Sequence, residues 1–472
     1  MQLVKQITHK KTSTLEKVQL LLLLSFMLVS GIAFSQDNSP YSRYGIGDLT
    51  PTGNMLTRSM GGVNAAYIDH LSINFNNPAS FAFYQAYREK KSKKLSSGRA
   101  LLDIGIDLEN RSLIESDNAD NFLAHNLTFS YLQVAVPVRQ NWGISFGLRP
   151  ISRVSYNILR YERLFDPISG NNIDSAVTHF QGDGGSYLAS LGTGFAIISK
   201  EKHGLIEKMS VGFGTGYLFG RKNYSSRRTF INDSISYYQA NYQTTANYGN
   251  LYFNGGLQYF LPLSKTMALS LGAYGNLGQN LNATEDRLRE TFYYDQNLGD
   301  SRLDSVLDSR DVKGKIKMPS SFTAGFILQK FAVQNKEGGW LVGMDFKSTK
   351  WSDFRYYGHA DSLRNKWELR AGAQITPVPR RNYFSNVSYR FGVFTGTDYV
   401  KFQNKLPIAG ITFGAGLPVS MSRQAPNQVT IVNIGFEYAK RGNKENFLRE
   451  NQFHLTVGFS LSDAWFIKRK YE

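Results

Sequence analysis

The sequence contains no cysteine among its 472 residues. Disulfide bonds, thiolate metal sites and cysteine nucleophiles are therefore excluded, and so is the acylated cysteine of a lipoprotein. After residue 35 the chain also lacks an apolar run of about twenty residues, so no transmembrane helix is predicted in the mature protein. The seven histidines are scattered without metal-ligand spacing, and we predict neither a metal site nor a cofactor.

The first 35 residues have the pattern of a secretory signal peptide. A basic stretch ending at Lys17 precedes an apolar run over residues 18–34, and Ala33-Phe34-Ser35 is a small-x-small cleavage site. A membrane anchor is the alternative, but the apolar run is short for a membrane span and no basic flank follows it. We therefore assign residues 1–35 to a signal peptide and expect export from the cytoplasm of a Gram-negative cell.

From about residue 100 to the C-terminus, apolar residues alternate with glycine, serine, threonine and charged residues. The last strand sets Phe453, Val457 and Phe459 against polar neighbours such as His454 and Ser460. Successive side chains of a strand point to opposite faces. A membrane barrel needs an apolar outer face and tolerates a polar lumen, so this pattern predicts membrane-spanning strands. A water-soluble sandwich also alternates, but this chain would need several such domains to use its length.

The spacing of the strands predicts an all-β fold, a transmembrane antiparallel barrel of about fourteen strands over residues 100–472. Long connections follow the earlier odd-numbered strands and shorter ones the even-numbered strands, which is typical of an outer-membrane barrel with a periplasmic N-terminus and long extracellular loops. Two of the long loops are predicted at residues 159–186 and 281–313. The predicted strands are 100–108, 127–138, 142–158, 187–199, 208–222, 243–263, 267–280, 314–330, 339–348, 365–376, 387–396, 406–418, 428–440 and 452–464.

The formal net charge of +17 raises the question of nucleic acid. The basic residues are spread over predicted loops and strands, and no basic helix or zinc motif accompanies them, so we predict no nucleic-acid partner. We expect contacts with outer-membrane lipid and lipopolysaccharide, and with the barrel-assembly machinery during insertion. Asp361 and the group Asp304, Asp308 and Asp311 are predicted to face solvent in loops, without the tight oxygen spacing of a calcium loop.

The C-terminus has the features of an interfacial membrane flank. Phe459 and Leu461 lie on the apolar face of the last predicted strand, and Trp465 and Phe466 follow them. The basic run 468–470 comes directly afterwards. Aromatic and basic residues are enriched at the membrane–water interface, so we predict that these four apolar residues hold the last strand at that interface.

Residues 36–99 differ from the rest because they are rich in turns and small residues and show no sustained period. Two short motifs stand out, Arg58-x-Met60-Gly61-Gly62 and Asn77-Pro78-Ala79. A fourteen-stranded barrel has a lumen wide enough to need filling or to conduct water. We therefore predict that residues 36–99 form a hatch inside the barrel, whose shape depends on Arg58, Gly61, Gly62 and the Asn77-Pro78-Ala79 turn.

These motifs resemble the N-terminal hatch of the FadL/TodX family of outer-membrane transport proteins, and within it a PorV-like Bacteroidota branch. The resemblance implies a plugged fourteen-stranded barrel that passively takes up hydrophobic or other small solutes. A ligand would be captured at the outer loops, where residues 292–302 and 354–357 offer aromatic and polar surface. It would then pass a hatch that moves, although a static plug fits the same residues.

Two further function classes stay open. A barrel subunit, or scaffold, of an outer-membrane secretion or assembly complex would use its long loops and charged lumen positions such as Glu368, Arg370 and Arg390. The polar composition of the predicted lumen favours this reading or a polar solute path over a hydrophobic one. An enzyme is not predicted, because the one suggestive spacing, His70-x-Ser72-x-Asn74, lies in the hatch without an oxyanion-hole motif.

Overall fold

The computed structural model describes residues 39–88, 95–115, 121–165, 168–170, 172–231, 238–295, 299–402, 405–419 and 428–465. The predicted signal peptide and Phe466 lie outside these residues.

Fourteen strands form one closed antiparallel barrel, which confirms the predicted fold class and strand count. Each strand pairs with the next along the chain, and β14 pairs back with β1 from Leu448–Glu115 to Trp465–Gly98. Closure leaves no free sheet edge, as a membrane barrel requires. The strands are β1 (Leu95–Glu115), β2 (Asn121–Arg139), β3 (Trp142–Phe165), β4 (Asn172–Lys202), β5 (Leu205–Ile231), β6 (Gln239–Pro262), β7 (Met267–Asn276 and Gln279–Asp295), β8 (Gly299–Met318 and Ser321–Lys330), β9 (Gly339–Thr349), β10 (Lys366–Thr376), β11 (Ser388–Thr397), β12 (Pro407–Val419), β13 (Val429–Arg441) and β14 (Leu448–Trp465).

Apolar and polar side chains are arranged in the opposite way to those of a water-soluble protein: the outside of the barrel is apolar and the inside is polar. Phe391, Phe413 and Phe436 point outward and are each about half exposed, whereas Glu450 and Ser460 point inward and are buried. An outward apolar band of this kind is what an outer-membrane barrel presents to lipid. Among the described residues, none of the helices is long and apolar enough to span a membrane.

The two walls of the barrel differ in height. Strands β9, β10 and β11 have 11, 11 and 10 residues, which is about the length needed to cross a bilayer. Strand β4 has 31 residues and β5 has 27, so the opposite wall extends well beyond that height. We call the end reached by these long strands the tall end, and the end at which β1 begins the short end.

The prediction of long loops at 159–186 and 281–313 is wrong, because most of each segment is paired strand. Strands β3 and β4 remain paired from Glu162–Ala176 to Ser155–Asp183, and β7 and β8 from Asp295–Gly299 to Gln279–Met318. The extensions lack the apolar alternation because they lie beyond the band that faces lipid. Cross-strand hydrogen bonds maintain them, together with contacts such as the Arg228–Glu162 ion pair. Asp304, Asp308 and Asp311 therefore lie on β8 rather than in a loop, although they are exposed as predicted.

Residues 39–84 lie inside the barrel; we call them the luminal segment. Its helices are the 3₁₀ turn Pro40–Arg43, the α-helical turn Met55–Arg58 and the 3₁₀ helix Pro78–Phe83, and a short strand, Asp48–Leu49, pairs with β3. A second short strand, Ala86–Arg88, pairs with the start of β1. The barrel itself begins at Leu95 rather than at the predicted residue 100.

The luminal segment runs through the barrel from the tall end to the short end, and strand β5 shows this directly. Lys222, towards the tall end, donates to the carbonyls of Arg43 and Gly45 at 2.9 and 3.0 Å. Lys208, towards the short end, donates to the carbonyl of Ala82 at 3.1 Å. The segment therefore fills the lumen over most of the height of the wall.

The remaining small elements lie at the two ends. At the tall end, a 3₁₀ turn, Trp351–Asp353, and the strands Arg355–Tyr356 and His359–Ala360 lie between β9 and β10, and Tyr356 pairs with Ile316 of β8. At the short end, a 3₁₀ turn, Tyr383–Asn386, precedes β11.

Candidate functional site: the plugged lumen

An ion-pair cluster joins the luminal segment to β1, β13 and β14 near the tall end. Asp48 accepts from Arg111 Nη2 at 2.7 Å and from Arg441 Nη1 at 3.1 Å. The same two arginines also lie 3.0 and 3.3 Å from Glu450 Oε2, and Arg441 lies 3.0 Å from Asp398. We call Asp48, Arg111, Asp398, Arg441 and Glu450 the pin cluster, because it links the segment to the wall through buried charges.

The charge state of Asp48 follows from two opposing effects. Burial disfavours the carboxylate and would raise its pKa, but the guanidinium groups of Arg111 and Arg441 outweigh burial and lower the pKa of Asp48 to about 2. Asp48 is therefore ionised at all physiological pH values. Arg441 also stacks over the ring of Tyr41 at 4.8 Å, which adds a cation–π contact to the same region.

Arg58, predicted as a hatch residue, ends the α-helical turn of the luminal segment and is buried. Its Nη1 donates to Asp107 Oδ2 of β1 at 3.0 Å, and its Nη2 lies 3.5 Å from Glu437 Oε2 of β13. Burial alone would lower the pKa of Arg58, but these two carboxylates outweigh it and raise the pKa above the ordinary value. Arg58 therefore forms a second charged link between the luminal segment and the wall.

The glycine pair that follows Arg58 makes a turn for which side chains are unsuited. Gly61 and Gly62 have φ angles of +67° and +81°, in the left-handed region that favours glycine. A Cβ on Gly61 would lie 2.7 Å from the carbonyl of Ala371. The Gly61 N–H donates to Thr412 Oγ1 at 2.8 Å, and the Gly62 carbonyl accepts from Arg370 at 3.3 Å. The pair therefore allows the backbone itself to bond to the wall.

The Asn77-Pro78-Ala79 motif begins the 3₁₀ helix near the middle of the lumen. Asn77 Oδ1 accepts from the Ala79 N–H at 3.1 Å, as a helix N-cap does, and Pro78 occupies the first helical position. The amide nitrogen of Asn77 donates to the carbonyls of Ala65 and Leu257 at 2.7 and 3.2 Å. One side chain thus caps the helix and links the luminal segment to β6.

The wall accommodates this motif through glycines that the sequence reasoning counted only as part of a polar face. A Cβ on Gly212 would lie 2.2 Å from the Ala79 nitrogen, and one on Gly194 would lie 2.2 Å from the Pro78 carbonyl oxygen. Gly392 is similarly close to Gly61. Glycine at inward strand positions is a sign of close backbone approach, and that sign could have located the contacts between the wall and the luminal segment.

At the tall end the luminal segment is covered by aromatic residues. Trp351 stacks with Tyr399 at a centroid distance of 4.7 Å, and both belong to a buried cluster with Tyr41 and Phe354. Phe292 is buried as well. The predicted exposed capture surface at residues 292–302 and 354–357 is therefore wrong for these phenylalanines. Phe354 packs in the aromatic cluster, and the guanidinium group of Arg227 lies over the ring of Phe292 at 4.3 Å.

Asp361 was predicted to face solvent in a loop; it lies in a loop, but it is half-buried. One of its carboxylate oxygens accepts from the Gly45 N–H at 2.6 Å, so the loop before β10 bonds to the luminal segment. By contrast, Glu368, Arg370 and Arg390 lie in the lumen as predicted; Arg370 Nη2 is 2.7 Å from Glu368, and Arg390 donates to Asn433 at 2.9 Å.

His70 and Ser72 do not form a nucleophile–base pair. The Nδ1 atom of His70 lies 2.7 Å from the carbonyl oxygen of Phe83, and Ser72 Oγ donates to Asp69 at 3.1 Å. Both side chains therefore hold the fold of the luminal segment.

The predicted C-terminal anchor residues lie on the outer face of β14. Phe459 and Leu461 are half-buried among their neighbours on the strand, and Trp465 is half exposed at its short end. Contact of these residues with a membrane interface stays a prediction.

A cavity of about 300 Å³ remains between the luminal segment and the wall. Its lining is strongly charged, with Arg111, Arg149, Arg370 and Arg441 among the cations and Asp48, Asp107 and Glu368 among the anions. Apolar side chains, among them Leu188, Leu218 and Phe394, line other parts of the same cavity. An apolar solute next to the charged groups would displace their water and cost hydrogen bonds. The charged part of the cavity therefore suits a polar occupant.

Comparison with known proteins identifies the family. The pattern of the BamG family matches residues 16–472, which is nearly the whole chain. This chain belongs to the BamG family. No curated protein matches it significantly.

Several solved structures are similar to this BamG-family chain. They include the monoaromatic hydrocarbon channel CymD, with 14% identity, a TM-score of 0.47 and coverage of 88% of this chain and 98% of the other. The Pseudomonas putida toluene transporter TodX has 13% identity, a TM-score of 0.46 and coverage of 89% and 99%. A Pseudomonas aeruginosa FadL homologue has 13% identity, a TM-score of 0.47 and coverage of 89% and 100%. The last two bear the names TodX and FadL, which are those of the family whose N-terminal hatch the motifs at residues 58–62 and 77–79 resemble.

Proposed function

We propose that this protein is a non-enzymatic barrel subunit of an outer-membrane protein assembly complex, with a lumen that stays closed. The observation that carries the proposal is the way in which the luminal segment is fixed. Buried charges of the pin cluster hold it at the tall end, Arg58 and Asp107 hold it farther along, and Asn77 holds it to β6. The BamG family name favours assembly over uptake.

Energetics support a closed lumen. Removing one partner from a buried ion pair typically costs about 3–5 kcal/mol, because the remaining charge stays buried. Movement of the luminal segment would separate Asp48 from two arginines and Arg58 from Asp107 at the same time. Passive uptake of a hydrophobic solute would have to compensate this cost in a cavity that is lined in part by buried charges.

With the lumen closed, the parts of the molecule that remain for function are its surfaces. The tall end is built from strands that extend beyond the lipid-facing band, and turns such as 168–170 project from it, with Ile168 95% exposed. We further propose that the tall end faces the cell exterior and that the outer membrane surrounds the short strands. Protease added to intact cells should then cut at 168–170.

Depletion of the protein tests the proposed function in cells. An assembly subunit should lower the amounts of other outer-membrane barrels when it is depleted, and wild-type protein should restore them. The purified barrel should also fail to pass hydrophobic solutes into liposomes. Unchanged levels of other barrels together with rapid solute flux would contradict the proposal and favour uptake.

A further inference from the structure

One side of the luminal cavity has more cations than anions. Arg149, Lys347, Lys366 and Arg370 line this side together with one carboxylate, Glu368; we call these five residues the basic wall. Lys366 and Arg370 both pair with Glu368, at 3.0 and 2.7 Å. The single carboxylate thus serves two of the four cations.

The other two cations have no acidic partner in contact. Lys347 lies across the ladder from Glu368, but it makes no hydrogen bond or ion pair in the part of the chain that the structure describes. Arg149 donates to the amide oxygen of Asn76 at 2.8 Å and stacks over Phe75 at 5.0 Å. Cations inside a protein are normally paired, so this side of the cavity has positive charge without a counter-charge.

Further donors on the same side are also unsatisfied. The amide nitrogen of Asn76 has no hydrogen-bond partner among the described residues, although the side chain is only 5% exposed and lines the cavity. The Nε atom of Arg370 is unpartnered as well. Buried donors rarely stay unbonded in a protein. The ammonium group of Lys347, the guanidinium group of Arg370 and the amide of Asn76 thus each have a donor without an oxygen acceptor in the described chain.

On the acidic side of the cavity, nitrogen atoms of Arg58 and Arg441 also lack hydrogen-bond partners within the part of the chain that is described, but the carboxylates there are satisfied. Asp48 accepts from Arg111 and Arg441, and Asp107 accepts from Arg58 and lies 3.2 Å from His454. These carboxylates are satisfied by side chains of the protein itself. The imbalance is therefore confined to donors, which points to an anionic ligand rather than to a cation or a zwitterion.

We propose that the basic wall binds a small oxyanion of the phosphate class, either inorganic phosphate or a small phosphomonoester. Phosphate oxygens accept from ammonium and guanidinium groups in strong charge-assisted hydrogen bonds. The cavity of about 300 Å³ has room for such an anion and several waters, since about 10–15 Å³ of this kind of volume suffices for one water. The anion supplies the missing negative charge and joins the wall to the luminal segment through Asn76.

The test is calorimetric titration of the purified full barrel in detergent with inorganic phosphate, and with glycerol 3-phosphate, at constant ionic strength against chloride. We expect saturable binding of one anion per barrel. Lys347→Gln and Arg149→Gln should each weaken the affinity at least tenfold. Arg310→Gln is the matched control, since that side chain is 77% exposed on β8, and it should bind as the wild type does.

Thermal unfolding separates loss of binding from loss of fold. Phosphate should raise the unfolding temperature of the wild type, because a ligand that binds only the folded state stabilises it. Lys347→Gln removes an unpaired charge, so without phosphate it should unfold no earlier than the wild type, and phosphate should leave its unfolding temperature unchanged. The tighter of the two ligands identifies the source of the phosphate group. Heats equal to those of chloride, or an unaltered affinity in both variants, would overturn the proposal.

Discussion

Asp48 of the luminal segment and Arg111 of β1 lie 2.7 Å apart, from Oδ2 to Nη2. Their contact joins the short strand Asp48–Leu49 of the luminal segment to the first strand of the barrel, and Arg441 of β13 approaches the other carboxylate oxygen at 3.1 Å. One carboxylate therefore links three parts of the chain that are distant in sequence. The predictions that follow concern how firmly this arrangement holds the lumen closed.

The first prediction concerns pH. The pKa of Asp48 is about 2 in the folded protein, below its ordinary value of 3.8, so folding favours the carboxylate. The stabilisation from Asp48 is therefore complete above about pH 4 and is lost as the pH falls from about 4 to 2, by on the order of 2 kcal/mol.

Unfolding in urea, followed in detergent across this pH range, measures the effect. Asp48→Asn is the matched variant, because it cannot titrate, and the wild type should lose its stability advantage over it between about pH 4 and 2. A difference that stays constant over this range would contradict the assigned role of Asp48.

The second prediction concerns Arg441, whose side chain is 2% exposed. Arg441→Met leaves Asp48, Asp398 and Glu450 close together without one of their cations, so the free energy of unfolding should fall by about 3–5 kcal/mol. Lys440→Met alters the neighbouring residue, which is exposed, and should change the stability by less than about 0.5 kcal/mol. Equal effects of the two substitutions on urea unfolding would argue against the pin cluster.

The third prediction concerns the close approach of the wall to the luminal segment. A Cβ on Gly392 would lie 2.0 Å from the Gly61 nitrogen, whereas one on Gly255 would have only an ordinary contact of 3.7 Å. Gly392→Ala should displace the luminal segment and destabilise the protein by about 1–3 kcal/mol. Gly255→Ala serves as the control at another strand glycine.

Limited proteolysis in detergent reports on this displacement. Residues 39–84 should become cleavable in Gly392→Ala and remain protected in Gly255→Ala and in the wild type. Protection of these residues in Gly392→Ala would mean that the luminal segment is not packed against β11 as described.

The fourth prediction concerns conductance. Deletion of residues 39–84 should leave a polar, water-filled lumen that conducts ions in planar bilayers, because a fourteen-stranded barrel encloses a wide lumen once it is unfilled. The wild type should show no such conductance. Circular dichroism of the deletion variant establishes that the strands are retained, and a folded deletion variant that does not conduct would show that something other than the luminal segment closes the barrel.

The sequence was informative where a single physical constraint acts on every second residue. Contact with lipid demands an apolar outer face, so all fourteen strands could be located, including β14 with Phe459 and Leu461. The strand extensions beyond the lipid-facing band were missed because no such constraint acts there. Residues 281–313 therefore looked like a loop, although β7 and β8 continue through them.

The arrangement inside the lumen could be predicted only in outline. Arg58, the glycine pair and Asn77 were recognised as hatch residues from a motif, but their partners on the wall were not. The hydrogen bond between Arg441 and Asp48 spans 393 positions, and neither residue belongs to a local pattern that would indicate the other. The inward glycines of β4, β5 and β11 were the available signal for where the luminal segment packs.

The most direct test of the proposed assembly role is purification of the tagged protein from native outer membranes in mild detergent, followed by quantitative mass spectrometry. We predict that outer-membrane protein assembly factors copurify in fixed stoichiometry with the barrel, and that a tagged unrelated outer-membrane barrel does not recover them. Recovery of the barrel alone under the same conditions would contradict the account.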